Sequence, residues 1–356
     1  MNPDTLLSIL IPSITTFAIG IAITPIITNF LYKNKLWKKK TVGKTIDGKE
    51  ATLTAKIHND ESKMVPRLGG LVIWVGALLS ATLFYFVSQI FGQDGDLLDR
   101  LDLISRNQTW LPLAALLLGG ILGAIDDLLV VDYFSKNGTY IGGGLSLRIR
   151  LLCVTFIGAL VAYWFVGKLG FNAIHIPFYG ELVIGPIWYT ALVIITMLAI
   201  FSGGIIDGVD GLSGGVMTAI FSSYGIIAMT HGQYDLAKLC FVIVSAILAF
   251  LWFNIPPARF YMSETGMIAL SLCLSVVVFL VDGVAVLPVV GFLLMVTVLS
   301  VLLQLFYKRF FKRKLFLIAP IHHHFEAKGW PNYKVTMRYW IIAFMCSMAG
   351  IILSLF

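Results

Sequence analysis

Charge is what this chain has least of. Only 13% of its 356 residues are Asp, Glu, Lys or Arg, against 58% hydrophobic, and the mean hydropathy is +0.89. A soluble domain carries about 25% charged residues, so an ordinary water-facing surface is excluded. Cysteine is scarce as well. Cys153, Cys240, Cys273 and Cys346 sit singly in apolar runs with no CxxC pair, which removes zinc ribbons and redox motifs and leaves small core residues. Histidine numbers only six, with no HExxH. No basic stretch precedes the first apolar run, so no cleavable signal peptide is expected. The net charge of +7 does not read as nucleic-acid binding. The cations lie in short segments between apolar runs, where they set orientation and meet anionic headgroups.

What fills the chain instead is a succession of apolar runs, each long enough to cross roughly 30 Å of hydrocarbon. Ten are expected, near 6–31, 68–92, 109–131, 148–167, 188–206, 212–230, 235–254, 265–283, 285–307 and 336–356. This is the pattern of an all-α polytopic integral membrane protein, one multi-span unit over residues 1–356. Two divisions rest on short breaks: "DGVDGL" at 207–211 and "VDGVAVLP" at 284. Of the 26 lysines and arginines, 22 fall on one side of this topology; Arg100, Arg106, Lys168 and Lys238 fall on the other. The positive-inside rule places the larger group in the cytoplasm and both termini outside. On the outer side, "FNAIHIPFYGELVIG" (171–185) alternates apolar and polar residues. It predicts a small periplasmic β-hairpin turning at Tyr179-Gly180 and lying on the membrane surface.

Carboxylates in apolar context are costly, and five stand out: Asp126 and Asp127 in "LGAIDDLLVV", Asp207 and Asp210 in "GGIIDGVDGL", and Glu264 in "FYMSETGMIAL". Each has an ordinary reading by itself. Asp126 and Asp127 end a span at the interface; Asp207 and Asp210 share a helix face or cap the helix starting at Leu212; Glu264 is a solvated loop residue. All five nevertheless fall at cytoplasmic span ends, on the side of His322, His323 and His324 in "KLFLIAPIHHHFEAKGW". That coincidence points to a cytoplasmic active-site cleft. Paired carboxylates suit Mg²⁺, which completes its shell with water and substrate phosphates. Phosphoryl transfer from a soluble donor to a lipid acceptor fits, with Lys63, Arg67, Arg148 and Arg150 to neutralise phosphates. Three adjacent histidine side chains diverge, so they make a poor zinc site. At least one is expected to tie its loop to a neighbouring span end, the others to donate hydrogen bonds to the substrate.

These residues also carry a resemblance. "KLFLIAPIHHHFEAKGW" resembles the cytoplasmic loop of the phospho-N-acetylmuramoyl-pentapeptide transferase family. "FLWFNIPPARFYMSETG" is similar to that family's FLWFN…FMGDxGS segment, "DGVDGL" to DGLDGL, "IDD" to its aspartate pair, "GLSLRIRLL" to GLSxRxKLL and "PRLGGLVI" to PTMGGLVI. The blocks run in the family's order from residue 58 to 330, and ten spans with both termini outside is its topology. The resemblance implies transfer of phospho-N-acetylmuramoyl-pentapeptide from its UDP donor to undecaprenyl phosphate, giving lipid I and UMP for peptidoglycan. It further implies Mg²⁺ as cofactor, a location in the bacterial inner membrane with the site facing the cytoplasm, and a homodimer.

Residue by residue, the resemblance implies catalytic roles for Asp126, Asp127, Asp207, His322, His323 and His324. It implies substrate binding by Lys63, Arg150, Asp210, Asn254 and Tyr261, the last stacking on uracil. It implies metal binding by Glu264 and Asp127. The chain departs from the pattern in several places. Glu264 replaces an Asp, Ser263 a Gly, Gly204 an Asn, Val130 a Lys and Arg150 a Lys. "SKMVPRLGG" lacks the GTPTMGG form and is similar to the branch that transfers N-acetylglucosamine phosphate. That sister activity is one alternative; an inactive paralogue or a transporter is the other. A transporter would place its charges near the midplane of an inverted repeat, whereas these cluster at one face.

Overall fold

The computed structural model describes residues 3–37, 64–93, 96–104, 108–131, 133 and 144–356, so the expected substrate-binding Lys63 lies outside the described residues. Among the described residues ten helices are long and apolar enough to cross a membrane. They are α1 (Pro3–Lys33), α2 (Leu71–Phe91), α3 (Trp110–Val130), α4 (Leu147–Tyr163, continued by a wider turn to Lys168) and α5 (Pro186–Gly203). The second half comprises α6 (Leu212–Thr230), α7 (Tyr234–Asn254), α8 (Ser263–Leu280), α9 (Phe292–Phe311) and α10 (Asn332–Leu353).

The expected span 285–307 is displaced. A short helix, Leu287–Val290, ends at Gly291, whose N–H closes onto Leu287 O at 2.7 Å, and α9 starts afresh at Phe292. Val286–Val290 is apolar throughout, so hydropathy runs straight across the break. The last span begins at Asn332 rather than 336, because Pro331 holds an extended conformation directly before the first helical turn.

The helices divide by burial. In the most apolar stretch of α8, 94% of residues are buried inside the protein, with 83% for α6 and 72% for α7; for α4 and α9 the figure is 28%. A central trio is thus wrapped by helices that turn most of their surface to lipid. In hydrocarbon, helices associate by close packing of small residues. α3 meets α8 through Gly119 and Gly123, one turn apart. A Cβ on Gly119 would sit 2.8 Å from the Ala269 Cα, and one on Gly123 would overlap the Glu264 carbonyl. Gly70, just before α2, backs onto Gly266 in the same way. These glycine contacts bring "IDD", "PRLGG" and "SETG" to one place.

The hairpin is present, with β1 (Ala173–Ile176) antiparallel to β2 (Gly180–Val183) and His175 opposite Glu181. Its turn is Pro177–Tyr179 instead of Tyr179-Gly180. Gly180 pairs with Ile176, and Phe178 takes the positive φ of 66°. Asp282 just beyond α8 accepts the His175 N–H at 3.1 Å, so the hairpin sits at the opposite end of α8 from Glu264. The eighteen residues of that helix separate the two by about 27 Å.

Candidate active site

Asp126 and Asp127 end α3, both buried. They point different ways. Asp127 Oδ1 accepts from Arg67 Nε at 2.8 Å, and its Oδ2 accepts from the Thr265 N–H at 2.9 Å and the Thr265 hydroxyl at 2.6 Å. A fully buried carboxylate is tolerated only with such a set of donors. Burial works against the Arg67 charge, but Asp127 beside it holds the guanidinium above its ordinary pKa. Asp126 Oδ1 accepts the Leu145 N–H at 2.6 Å, and its Oδ2 lies 3.9 Å from Arg150 Nη1.

Glu264, in the first turn of α8, receives the same Arg150 Nη1 on Oε1 at 2.6 Å. Arg150 therefore spans from α4 to both carboxylates. Two of the departures from the family pattern, Arg for Lys and Glu for Asp, touch each other here. Arg150 Nε is buried and finds no hydrogen-bond partner among the described residues, an orphaned cationic donor inside the cleft.

Asp207 and Asp210 do not share a helix face, and neither caps α6. A 3₁₀ turn, Gly204–Ile206, precedes them, and Gly211, at φ 73°, forms the N-cap without a side-chain bond. Asp207 Oδ1 accepts from the Ser213 hydroxyl at 2.6 Å and its Oδ2 from the Ser263 N–H at 2.8 Å. Burial raises its pKa above the usual carboxylate range, with Ser213 opposing. Ser263 holds a positive φ of 56°, the conformation that favours the glycine it replaces; this backbone twist aims its N–H at Asp207. Asp210 turns away, accepting the Ala258 N–H at 3.1 Å.

Arg67, Arg150, Asp207, Ser263 and Glu264 line a cavity of about 510 Å³. Its other wall is apolar, formed by Leu147 and Leu151 of α4, Ile205, and Val298, Val301 and Leu302 of α9. Asn254 and Tyr261 stand outside this lining. Both ends of the Asn254 amide are engaged, accepting Gly211 N–H at 3.0 Å and donating to Phe260 O at 2.8 Å, so it braces the "DGVDG" turn. Tyr261 is 40% exposed beside it, its hydroxyl pKa pushed up to about 12 by burial and the neighbouring Asp210 and Asp207.

The triplet lies on a short helix, Ile321–Ala327. His322 is buried, and its Nε2 and that of His323 both abut Gly208: a Cβ there would lie 2.8 Å from each. Two of the three side chains thus meet the turn that carries Asp207. His324 diverges, accepting the Leu317 N–H on Nδ1 at 3.1 Å, while Gln304 of α9 takes the neighbouring Leu315 and Phe316 N–H groups. Burial, with Lys328 nearby, lowers the His324 pKa. The residues that sequence reasoning passed over are Thr265, Ser213 and Glu326, the last joined to His323 Nδ1 at 2.5 Å. The i, i+3 spacing of His323 and Glu326 was the available signal.

The donor set of the cleft is all oxygen. No group of three His, Cys, Asp or Glu among the described residues has the spacing to hold a metal by itself. Mg²⁺ is commonly held by one or two carboxylates with water and substrate phosphates, and Glu264 Oε2 accepts no hydrogen bond among the described residues. The residues present fit that ion.

The Glycosyl transferase family 4 signature matches residues 109–283. The chain is 31% identical to the phospho-N-acetylmuramoyl-pentapeptide-transferase of Listeria monocytogenes over 353 residues, 96% of this chain and 98% of the relative. It is 32% identical to the protein of that name from Chloroflexus aurantiacus over 304 residues, 82% of this chain and 77% of the relative. The Levilactobacillus brevis counterpart is 32% identical over 246 residues, 68% of this chain and 73% of the relative.

Proposed function

This chain belongs to the phospho-N-acetylmuramoyl-pentapeptide-transferase family, and we propose that its cleft transfers phospho-N-acetylmuramoyl-pentapeptide from UDP to undecaprenyl phosphate, forming lipid I and releasing UMP. The observation that carries the reading is the two-sided cavity. Arg67, Arg150, Asp207 and Glu264 face apolar residues of α4 and α9, the helices most open to lipid. A polyprenyl chain can lie along that wall with its phosphate among the arginines. The orphaned Arg150 Nε is a ready partner for an anionic oxygen.

In the reaction an oxygen of the acceptor phosphate attacks the β-phosphorus of the donor, and the bond from that phosphorus to the UMP oxygen breaks. Asp126, whose Oδ2 lies 3.9 Å from Arg150 Nη1, would take a proton from a monoprotonated acceptor. Asp207 holds the Ser263 N–H, and at the adjoining Gly208 His322 and His323 would present their Nε2 atoms to the donor. Tyr261 offers an exposed ring for the uracil. Glu264, through its unbonded Oε2, would hold Mg²⁺, which would supply charge neutralisation for the diphosphate; Asp127, whose oxygens accept from Arg67 and Thr265, would have to give up one of those bonds to join it. Arg67 serves this arrangement by fixing Asp127.

The cation distribution supports a cytoplasmic cleft with both termini outside, since twenty-two lysines and arginines fall on the cleft's side. The homodimer implied by the resemblance is part of the proposal and is tested by cross-linking in membranes. The activity is tested with radiolabelled UDP-N-acetylmuramoyl-pentapeptide and undecaprenyl phosphate in detergent, with and without Mg²⁺. Labelled lipid that appears only with Mg²⁺ and acceptor supports the reading. Labelled lipid from UDP-N-acetylglucosamine alone would move the chain to the sister activity, and none from either donor would favour an inactive relative.

A further inference from the structure

Glu326 is not among the residues the resemblance assigns, yet its surroundings are hard to explain as stabilisation. It lies one turn after His323 on the helix Ile321–Ala327, and its carboxylate Oε2 meets His323 Nδ1 at 2.5 Å. The Glu326 side chain is 3% exposed and that of His323 16%. The other carboxylate oxygen, Oε1, is buried with no hydrogen-bond partner among the described residues. Two oxygens of a carboxylate retained for stability are both satisfied, as at Asp127; a half-satisfied one costs stability and calls for another explanation.

The far end of the same imidazole supplies that explanation. His323 Nε2 abuts Gly208, next to the cavity-lining Asp207. An imidazole whose Nδ1 proton is held by a carboxylate has its ring angle and tautomer fixed, and with them the direction of its other nitrogen. We infer that Glu326 is a positioning residue, whose carboxylate fixes His323 so that Nε2 faces the phosphates of a nucleoside diphosphate sugar entering over the Asp207-Gly208 turn. Glu326 itself touches no substrate. This rests on the transfer reading above for the identity of the ligand, but the orientation of His323 is a property of the free protein.

The test uses Glu326→Gln, Glu326→Asp, His323→Gln and the Glu326→Gln/His323→Gln double variant of the full chain. Two readouts are taken: transfer kinetics, and nitrogen-15 NMR of labelled histidine in the detergent-solubilised protein without substrate. The expected kinetics are a fall in kcat of about 10- to 100-fold in Glu326→Gln, a smaller fall in Glu326→Asp, and a double variant no slower than His323→Gln alone. The expected spectrum shows the His323 nitrogens redistributing their proton in Glu326→Gln, whether or not the protein turns over. That separates the two ideas. An inactive wild-type chain with the spectral change refutes the transfer reading and keeps the positioning role. An active chain whose double variant loses the product of the two single losses, or whose His323 signals are unmoved in Glu326→Gln, overturns the inference. Failure of Glu326→Gln to fold also overturns it, because the carboxylate would then be structural.

Discussion

Arg150 and Glu264 each depart from the family's Lys and Asp, and they meet at 2.6 Å. Glu264→Asp removes one methylene, retracting the carboxylate by about 1.5 Å. The contact then opens to roughly 4 Å, the limit of an ion pair. Arg150→Lys shortens the opposite side and removes the Nη1 donor. The side chains are 24% and 29% exposed, so the full value of a charge-assisted hydrogen bond, about 1.5–3 kcal/mol, is reduced by solvent screening to about 1 kcal/mol. Each single change should therefore lower kcat/KM by roughly fivefold, since 1.36 kcal/mol is about a factor of ten. In the double variant the same contact is already gone, so its loss should stay near about 1 kcal/mol instead of doubling, giving a coupling of about 1 kcal/mol in a double-mutant cycle. The assay is transfer of labelled donor at saturating acceptor, with thermal midpoints as a check on folding. Losses that add to within about 0.3 kcal/mol would show that the two residues do not act through one another, and that their contact is incidental to the cleft.

Three further perturbations bear on single elements of the site. Ser263→Gly relieves a left-handed residue, worth roughly 1–2 kcal/mol, against about 0.5–1 kcal/mol of added chain entropy. The net gain raises the thermal midpoint by about 1–3 °C with activity kept, and an unchanged or lower midpoint refutes the strain. His324 has its pKa lowered by burial, and only its neutral form accepts the Leu317 N–H. Its contribution to stability is present above the ordinary value of about 6.5 and is lost as pH falls through the folded-state value. A midpoint that drops between pH 7 and 5 in the wild type and stays flatter in His324→Gln supports this; parallel curves refute it. Tyr261→Ala should weaken the UDP donor by about 1–3 kcal/mol while sparing acceptor KM, and unchanged donor affinity removes that ring from the uracil site.

The spans were legible because hydrocarbon thickness sets helix length, and apolar runs record it directly. Where an apolar stretch changes direction, as between Leu287 and Gly291, hydropathy is silent, since the break lies in backbone hydrogen bonding. The turn "DGVDG" was legible as an interruption but not in its geometry. Spacing suggests that Asp207 and Asp210 share a face, whereas the glycines send them to Ser263 and Ala258. Arg67 meets Asp127, and Arg150 meets Glu264 and approaches Asp126. Which oxygen meets which donor depends on the glycine contacts of α3 with α8 and of Gly70 with Gly266, a tertiary fact. Glu326 reads as a solvated glutamate in its loop; its i, i+3 spacing from His323 hints at a pair, and its burial distinguishes it.

The most direct measurement is turnover of the Asp207→Asn variant. Asn fits this position without leaving a donor opposed to a donor: its amide oxygen accepts the Ser263 N–H, and the Ser213 hydroxyl rotates to accept from the amide nitrogen. At Asp127 the same change sets an amide N–H₂ against Arg67 or Thr265, so Asp207 separates charge from folding more cleanly. If the carboxylate cleft carries out the transfer, lipid I formation by Asp207→Asn falls by at least about 10²-fold while its thermal midpoint stays at the wild-type value. A variant that keeps both its midpoint and near wild-type turnover would contradict the assignment of this cleft as the catalytic site.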